Sequence, residues 1–383
     1  MRSYDARVTN PAGVAIAAPS STARSSAAHS ALVVVLFLVA FAASCGVLRR
    51  CLPFPEVPVV RDKLAHLARQ GGDYDVLFIG SSRVQFQVMP SIFDRVASEA
   101  GVRVKSFNAG VAGMGSPEDA YLCEQILRRP HGRLRWVFIE LSRLGTGLDR
   151  AATVRFTYWH DAVRLRLIAR RLWGQAVEAQ ARLEQTHSTS FRARYAIWSE
   201  MTDKLAGHTH HWLMRAINLG DGTQLLDAWF RTSGRRRDAG RNLGDGGDGW
   251  VTAGRDHQQM TTEVRAKYEA SYAERLAKPA GKERGDQVSQ SALEQLLATI
   301  TKAGATPVLV IPPTTFDLNF FPTEKREQEL TILDFSNVQE NAELFAPERR
   351  IDVDHVNTAG AELFSAALAR RFVALAKQKT GTP

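Results

Sequence analysis

The chain has 383 residues, of which 44% are hydrophobic, 23% charged and 8% aromatic, the balance of an ordinary globular protein. A mean hydropathy of -0.20 argues against a multispanning membrane protein. Forty-nine Lys and Arg against 40 Asp and Glu leave a formal charge of +9, which suits anionic lipid, acidic polysaccharide or nucleic acid without choosing among them.

Residues 1–30 are rich in Ala, Ser and Thr, with Arg2, Arg7, Arg24 and the single acid Asp5, a composition that predicts a disordered tail. Residues 31–48, ALVVVLFLVAFAASCGVL, carry no charge and are as long as the shortest helix that crosses a bilayer. The long tail, the long apolar stretch and the lack of a clean small-x-small site favour an uncleaved anchor over a signal peptide. Ala42-Ala43-Ser44-Cys45 matches a lipoprotein box only loosely. Basic residues flank both ends, so charge sets no orientation. A single anchor ahead of a large domain most simply leaves that domain outside the cytoplasm. Cys45, Cys51 and Cys123 make neither a disulfide framework nor a zinc spacing.

Tyr74–Gly80, YDVLFIG, is a short apolar run closed by Gly and Ser, the pattern of a strand buried on both faces. A helix is predicted from Pro90, a second strand over Val102–Phe107 and a third over Arg135–Leu141. Between the last two, Ser116-Pro117-Glu118-Asp119 reads as a helix start with Ser116 as N-cap, and Cys123 falls on the apolar side of that helix. The pattern changes over 151–290, which reads as a mostly helical insertion. It holds six of the seven Trp, most of them expected to be core. A Gly-rich stretch over 231–256 is expected to be a flexible loop. Alternation resumes with a helix over Ser291–Lys302, a strand over Pro307–Ile311, a short strand over Thr331–Phe335 and a last helix over Asn357–Lys377. Segments 58–150 and 291–378 thus form one α/β domain with a parallel sheet covered on both sides.

Ligands of such sheets gather beyond the carboxyl ends of the strands. There Gly80-Ser81-Ser82 puts a hydroxyl at a helix start, while Asp352-Val353-Asp354-His355 puts a carboxylate three residues before a histidine. A Ser hydroxyl needs a base to become a nucleophile, and the imidazole needs a carboxylate to fix its tautomer. By themselves these residues read as a helix cap, a surface or capping histidine and a solvated acidic loop. The cluster His208, His210 and His211 lacks acids at ligand spacing and reads as a polar helix surface, with no metal expected. Arg235-Arg236-Arg237 reads as a solvated charge run. No recognised nucleic-acid-binding motif is present.

Taken together, Gly80-Ser81-Ser82, the turn Asn108-Ala109-Gly110-Val111-Ala112-Gly113 and Asp352-x-x-His355 give a chain that resembles the SGNH (GDSL-like) hydrolase superfamily. The likeness is greatest to its membrane-anchored branch of DltD-like and alginate-acetylation-type proteins. The resemblance implies a three-layer α/β/α flavodoxin-like domain with Ser82 as nucleophile, His355 as base and Asp352 as its carboxylate, Asp354 being a less favourable alternative. It implies an oxyanion hole from the N–H groups of Ser82 and Gly113. It implies no cofactor, a polysaccharide or other acyl acceptor as substrate, and a multispanning membrane acyltransferase as partner. The family's Gly-x-Asn-Asp after the third strand is replaced here by Glu140-Leu141-Ser142-Arg143, so Ser142 or Arg143 takes the third donor's place or the hole has two donors. The expected activity is acyl transfer or ester hydrolysis at O-acyl groups, with a lipid or carbohydrate esterase and a non-catalytic polysaccharide-binding protein as the alternatives.

Overall fold

The structure, a computed structural model, describes residues 21–51, 54, 57–148, 153–186, 190–217, 242–253, 259–277, 285–315 and 322–380. The chain divides into two compact units, Met1–Pro53 and Phe54–Pro383. In the first, helix α1 (Ser21–Cys51) contains a 20-residue stretch, Ala28–Val47, with mean hydropathy 2.5. At about 1.5 Å per residue it is long enough to cross a hydrocarbon core of ~30 Å.

The second unit is built on five parallel strands: β1 (Val76–Ile79), β2 (Ser106–Asn108), β3 (Trp136–Glu140), β4 (Thr306–Ile311) and β5 (Ile332–Asp334), in the order β2-β1-β3-β4-β5. Successive side chains of a strand point to opposite faces. Leu77, Ile79, Val137, Ile139, Leu309 and Ile311 accordingly enter one apolar cluster, and Val76, Phe78, Trp136, Phe138, Val308 and Val310 enter another. The first cluster is completed by α2 (Pro58–Gln70), α5 (Glu118–Leu127), α7 (Ala162–Gln185) and α10 (Gln287–Lys302). The second is completed by α4 (Pro90–Glu99) and α11 (Thr358–Thr380), where Phe93 meets Phe372 at 5.2 Å and Phe138 at 5.8 Å between ring centres. Deleting such a ring from a packed core costs about 3–5 kcal/mol.

Two predicted boundaries shift for local reasons. Strand β2 begins at Ser106 rather than Val102, because the Lys105 N–H is taken by the Asp75 carboxylate at 3.0 Å instead of a neighbouring strand. Helix α5 begins at Glu118 with Pro117 at the cap position and no side-chain cap; the predicted cap, Ser116, instead donates its N–H to Ser142 Oγ at 3.2 Å.

The segment 151–290 contributes α6 (Val154–Thr157), α7, α8 (Phe191–Ile217) and α9 (Thr262–Ala277). It is joined to the sheet core, since Ile168, Leu172 and Ala176 of α7 are buried in the first cluster. The Gly-rich stretch does not run as a free loop over its described part, 242–253. The Asp248 carbonyl accepts the Asn108 N–H at 2.8 Å and so covers the β2 edge. The Trp250 indole donates to the Phe86 carbonyl at 2.9 Å. The rest of that stretch, with Arg235, Arg236 and Arg237, lies outside the described residues.

His208 and His211 are buried, contrary to the expected polar surface. His160 explains it: its Nε2 lies 2.9 Å from His208 Nδ1, its ring stacks on Trp159 at 3.8 Å, and His211 Nδ1 pairs with Thr157 Oγ1 at 2.9 Å. Among the described residues no group of three His, Cys, Asp or Glu is placed to hold a metal. Burial, reinforced by the His208 and His211 rings, pushes His160 down to about 3, and burial pushes His208 down to about 4. Both stay neutral in the fold while the unfolded chain binds protons from about 6.5 downward. Stability therefore falls as pH drops from ~6.5 toward ~4, by up to about 1.4 kcal/mol per pH unit for each histidine. Urea midpoints measured across that range are expected to fall less steeply for His160→Gln than for the wild type; parallel profiles would show that the stack does not titrate this way.

Candidate active site

The site assembles at the carboxyl ends of β1 and β3, where the strand order reverses. Gly80 lets the chain leave β1 against a crowded neighbour, since a Cβ there would lie 2.4 Å from Val84 and 2.6 Å from Glu140. Ser81 caps the one-turn helix α3 (Ser82–Gln85) by accepting the Arg83 N–H at 3.2 Å. Ser82, half-buried, is the first residue of that turn.

Ser82 Oγ lies 2.8 Å from His355 Nε2, and His355 Nδ1 lies 2.9 Å from Asp352 Oδ2. Asp352 Oδ1 accepts the N–H groups of both Asp354 and His355 at 2.7 Å. Burial opposes its charge, but the hydrogen bonds and charge of His355, together with these two N–H groups, hold the carboxyl below the usual carboxylate range. An ionised Asp352 places the imidazole proton on Nδ1 and leaves Nε2 to accept from Ser82. The alternative carboxylate, Asp354, faces away from His355: it accepts from Thr314 Oγ1 at 2.8 Å and pairs with Arg83 at 3.4 Å. The loop is held from beneath by Arg350, fully buried, which donates to the carbonyls of Pro313 at 3.1 Å and Val353 at 3.0 Å.

Gly113 has φ +73°, in the region that favours glycine. Its turn is pinned to α3 and to the segment that follows it by Asn108, whose Nδ2 donates to the carbonyls of Val84 at 2.7 Å and Val88 at 2.6 Å. Lys63, buried in α2, donates to the carbonyls of Asn108, Gly110 and Gly249 at 2.7–2.9 Å. Burial lowers its pKa to about 7, with the Asp248 carboxylate opposing that shift. The Ala112–Gly113 peptide is held on one side by Arg155 of α6, whose Nη2 donates to the Ala112 carbonyl at 3.0 Å and to Glu118 at 3.1 Å. Burial raises Glu118 to about 7 against the pull of Arg155. A trans peptide points its N–H opposite its C=O, so the Gly113 N–H faces away from Arg155. Among the described residues, neither this N–H nor that of Ser82 has an acceptor.

Of the two candidates for a third donor, Ser142 commits its hydroxyl to Asp119 at 3.1 Å and Arg143 is exposed. The end of β3 instead supplies Glu140, whose carboxylate accepts the Ser81 N–H at 2.6 Å and the Ser81 hydroxyl at 3.1 Å. Glu140 also pairs with Arg83 at 2.6 Å. Arg83 thus ties the nucleophile turn to the Asp354 end of the histidine loop. Sequence reasoning passed over Arg83, Glu140, Arg155 and Arg350; the one available signal was an acid closing an otherwise apolar buried strand. Cys123 is buried, and burial raises its thiol well above the usual range, which makes it an inert core residue. No protein-family model matches the chain, and no curated protein matches it.

Proposed function

We propose that the chain is a membrane-anchored, SGNH-type acyl-transfer enzyme acting on O-acyl groups, O-acetyl foremost, of a cell-envelope or secreted polysaccharide. The observation that carries the reading is the Ser82–His355–Asp352 relay, in hydrogen-bond contact end to end at the carboxyl edge of a parallel sheet. The strand order, one of the two common doubly wound arrangements, supports the flavodoxin-like part of it. Ala28–Val47 supports the anchor. A catalytic domain outside the cytoplasm follows from a single anchor ahead of a large domain, and a multispanning acyltransferase partner from the resemblance alone.

In this mechanism Ser82 Oγ attacks the acyl carbonyl as its proton passes to His355 Nε2. The N–H groups of Ser82 and Gly113 receive the developing oxyanion, each lowering the barrier by about 3 kcal/mol. Arg155, by gripping the Ala112 carbonyl, fixes and polarises the second of these donors. The tetrahedral adduct collapses, its C–O bond to the leaving alcohol breaks, and His355 returns the proton to that oxygen. The acyl group then passes from Ser82 to a sugar hydroxyl or to water.

The test uses the full chain in detergent with a fluorophosphonate serine probe and with an activated acetyl ester, with and without a glycan acceptor. The wild type is expected to be labelled and Ser82→Ala to be blank. Equal labelling or turnover by a folded Ser82→Ala protein would remove the nucleophile assignment. Acetylated acceptor formed only when Ser82 is present selects transfer over hydrolysis.

A further inference from the structure

Part of the basic surplus and two tryptophans of the 151–290 segment, Trp173 and Trp198, fall on one surface of the α7–α8 hairpin. On α7, Val163, Arg166, Arg170, Trp173 and Val177 are spaced three, four, three and four residues apart, so they form one stripe. All five are exposed, whereas Ile168, Leu172 and Ala176 on the opposite face enter the core. On α8, Phe191 and Tyr195 are 81% and 65% exposed, and their rings stack at 6.4 Å. One turn further, Trp198 meets Trp173 edge to face at 5.1 Å and donates its indole N–H to Gln180 at 2.9 Å. An apolar, mainly aromatic band therefore crosses both helices. The two helices carry nine Arg and Lys against four Asp and Glu. Arg164 and Arg171 are buried and spent on half-buried carboxylates. Arg166, Arg170 and Arg192 are exposed and have no ion-pair partner among the described residues.

We propose that this face is an interfacial docking surface for an anionic phospholipid bilayer, with the aromatic and valine side chains at the headgroup–acyl boundary and the arginines on lipid phosphates. Aromatic rings interleaved with arginine and aliphatic side chains on one helical stripe match that boundary. A glycan track is less well matched, because Val163 and Val177 offer no ring to stack on a sugar and Trp173 is engaged edge to face with Trp198. The inference rests on Ala28–Val47 spanning the bilayer. The four helical residues Leu48–Cys51 and the six from Leu52 to Val57 then reach at most about 28 Å, which keeps the folded unit within reach of the headgroups.

The test places the full chain in lipid nanodiscs of phosphatidylcholine, with or without one-third phosphatidylglycerol, and follows amide hydrogen exchange. Peptides covering 162–178 and 190–199 are expected to exchange roughly tenfold more slowly in the anionic discs, and β1 peptides equally in both. Each arginine near an anionic surface strengthens binding about fivefold. Arg166→Glu with Arg170→Glu should therefore abolish the difference while leaving fluorophosphonate labelling and thermal stability unchanged. Trp173→Ser should reduce it. Failure of the chain to stay with discs would overturn the anchor itself. Insertion into discs with equal exchange in the two lipids would overturn the docking face alone. Slowing that appears only when an acidic polysaccharide or a partner membrane protein is added would reassign the face to that ligand.

Discussion

Asp352→Asn is expected to lower turnover of an activated acetyl ester by a factor on the order of 10³ to 10⁴, while Asp354→Asn lowers it less than about tenfold. The two carboxylates lie two residues apart, and their partners separate them. Asp352 Oδ1 is committed to the N–H groups of Asp354 and His355, so an asparagine there keeps its carbonyl oxygen on those donors. Its amide nitrogen then replaces Oδ2 opposite His355 Nδ1. A donor facing Nδ1 drives the imidazole proton to Nε2, the tautomer that cannot accept from Ser82. The fold survives, because the loop hydrogen bonds survive, and the loss falls on kcat with little change in KM. Asp354→Asn retains Oδ1, the oxygen that accepts from both Thr314 and Arg83, and loses only the charge opposite Arg83. Steady-state kinetics of the two variants decide the matter; the reverse ranking would move the orienting carboxylate to Asp354.

The core strands were legible because their signals are local, whereas the relay was legible only through the resemblance, since Ser82 meets His355 across 273 residues of sequence. A strand buried on two faces has no polar positions, so Val76–Ile79, Trp136–Glu140 and Thr306–Ile311 stand out as apolar runs closed by Gly, Ser or Pro. Gly80-Ser81-Ser82 and Asp352-x-x-His355 each hold their spacing within four residues. What escaped is non-local. Glu140 finds Ser81 across 59 residues of sequence, Lys63 finds Gly249 across 186 and His160 finds His208 across 48. Composition also misled in one place. The glycines near 249 suggested flexibility, yet Gly249 adopts φ +87° and a Cβ there would lie 2.0 Å from the Asn108 carbonyl oxygen. Glycine is required at that point for close approach of two backbones, and the result is a packed edge.

Glu140 should therefore be the most damaging single site outside the relay. Its carboxylate and the Arg83 guanidinium are 2% and 14% exposed and lie 2.6 Å apart. Removing one partner of a buried pair leaves the other desolvated, at a cost of about 3–5 kcal/mol. Glu140→Ala adds a second loss, because the Ser81 N–H and hydroxyl lose their acceptor one residue from the nucleophile. Glu140→Gln keeps an oxygen for the Ser81 N–H but not the charge for Arg83, so it should retain more activity than Glu140→Ala while remaining destabilised. Replacing both partners, Arg83→Met with Glu140→Gln, removes the stranded charge and should recover much of the stability lost by either single change. It should not recover turnover, since the bridge from the Ser82 turn to the Asp354 end of the histidine loop is then gone. Urea unfolding and ester turnover of the four proteins separate these effects. If Glu140→Ala costs less than about 1 kcal/mol and leaves turnover intact, the turn that carries Ser82 is held by its glycine and helix cap, and the Arg83 bridge is incidental to the site.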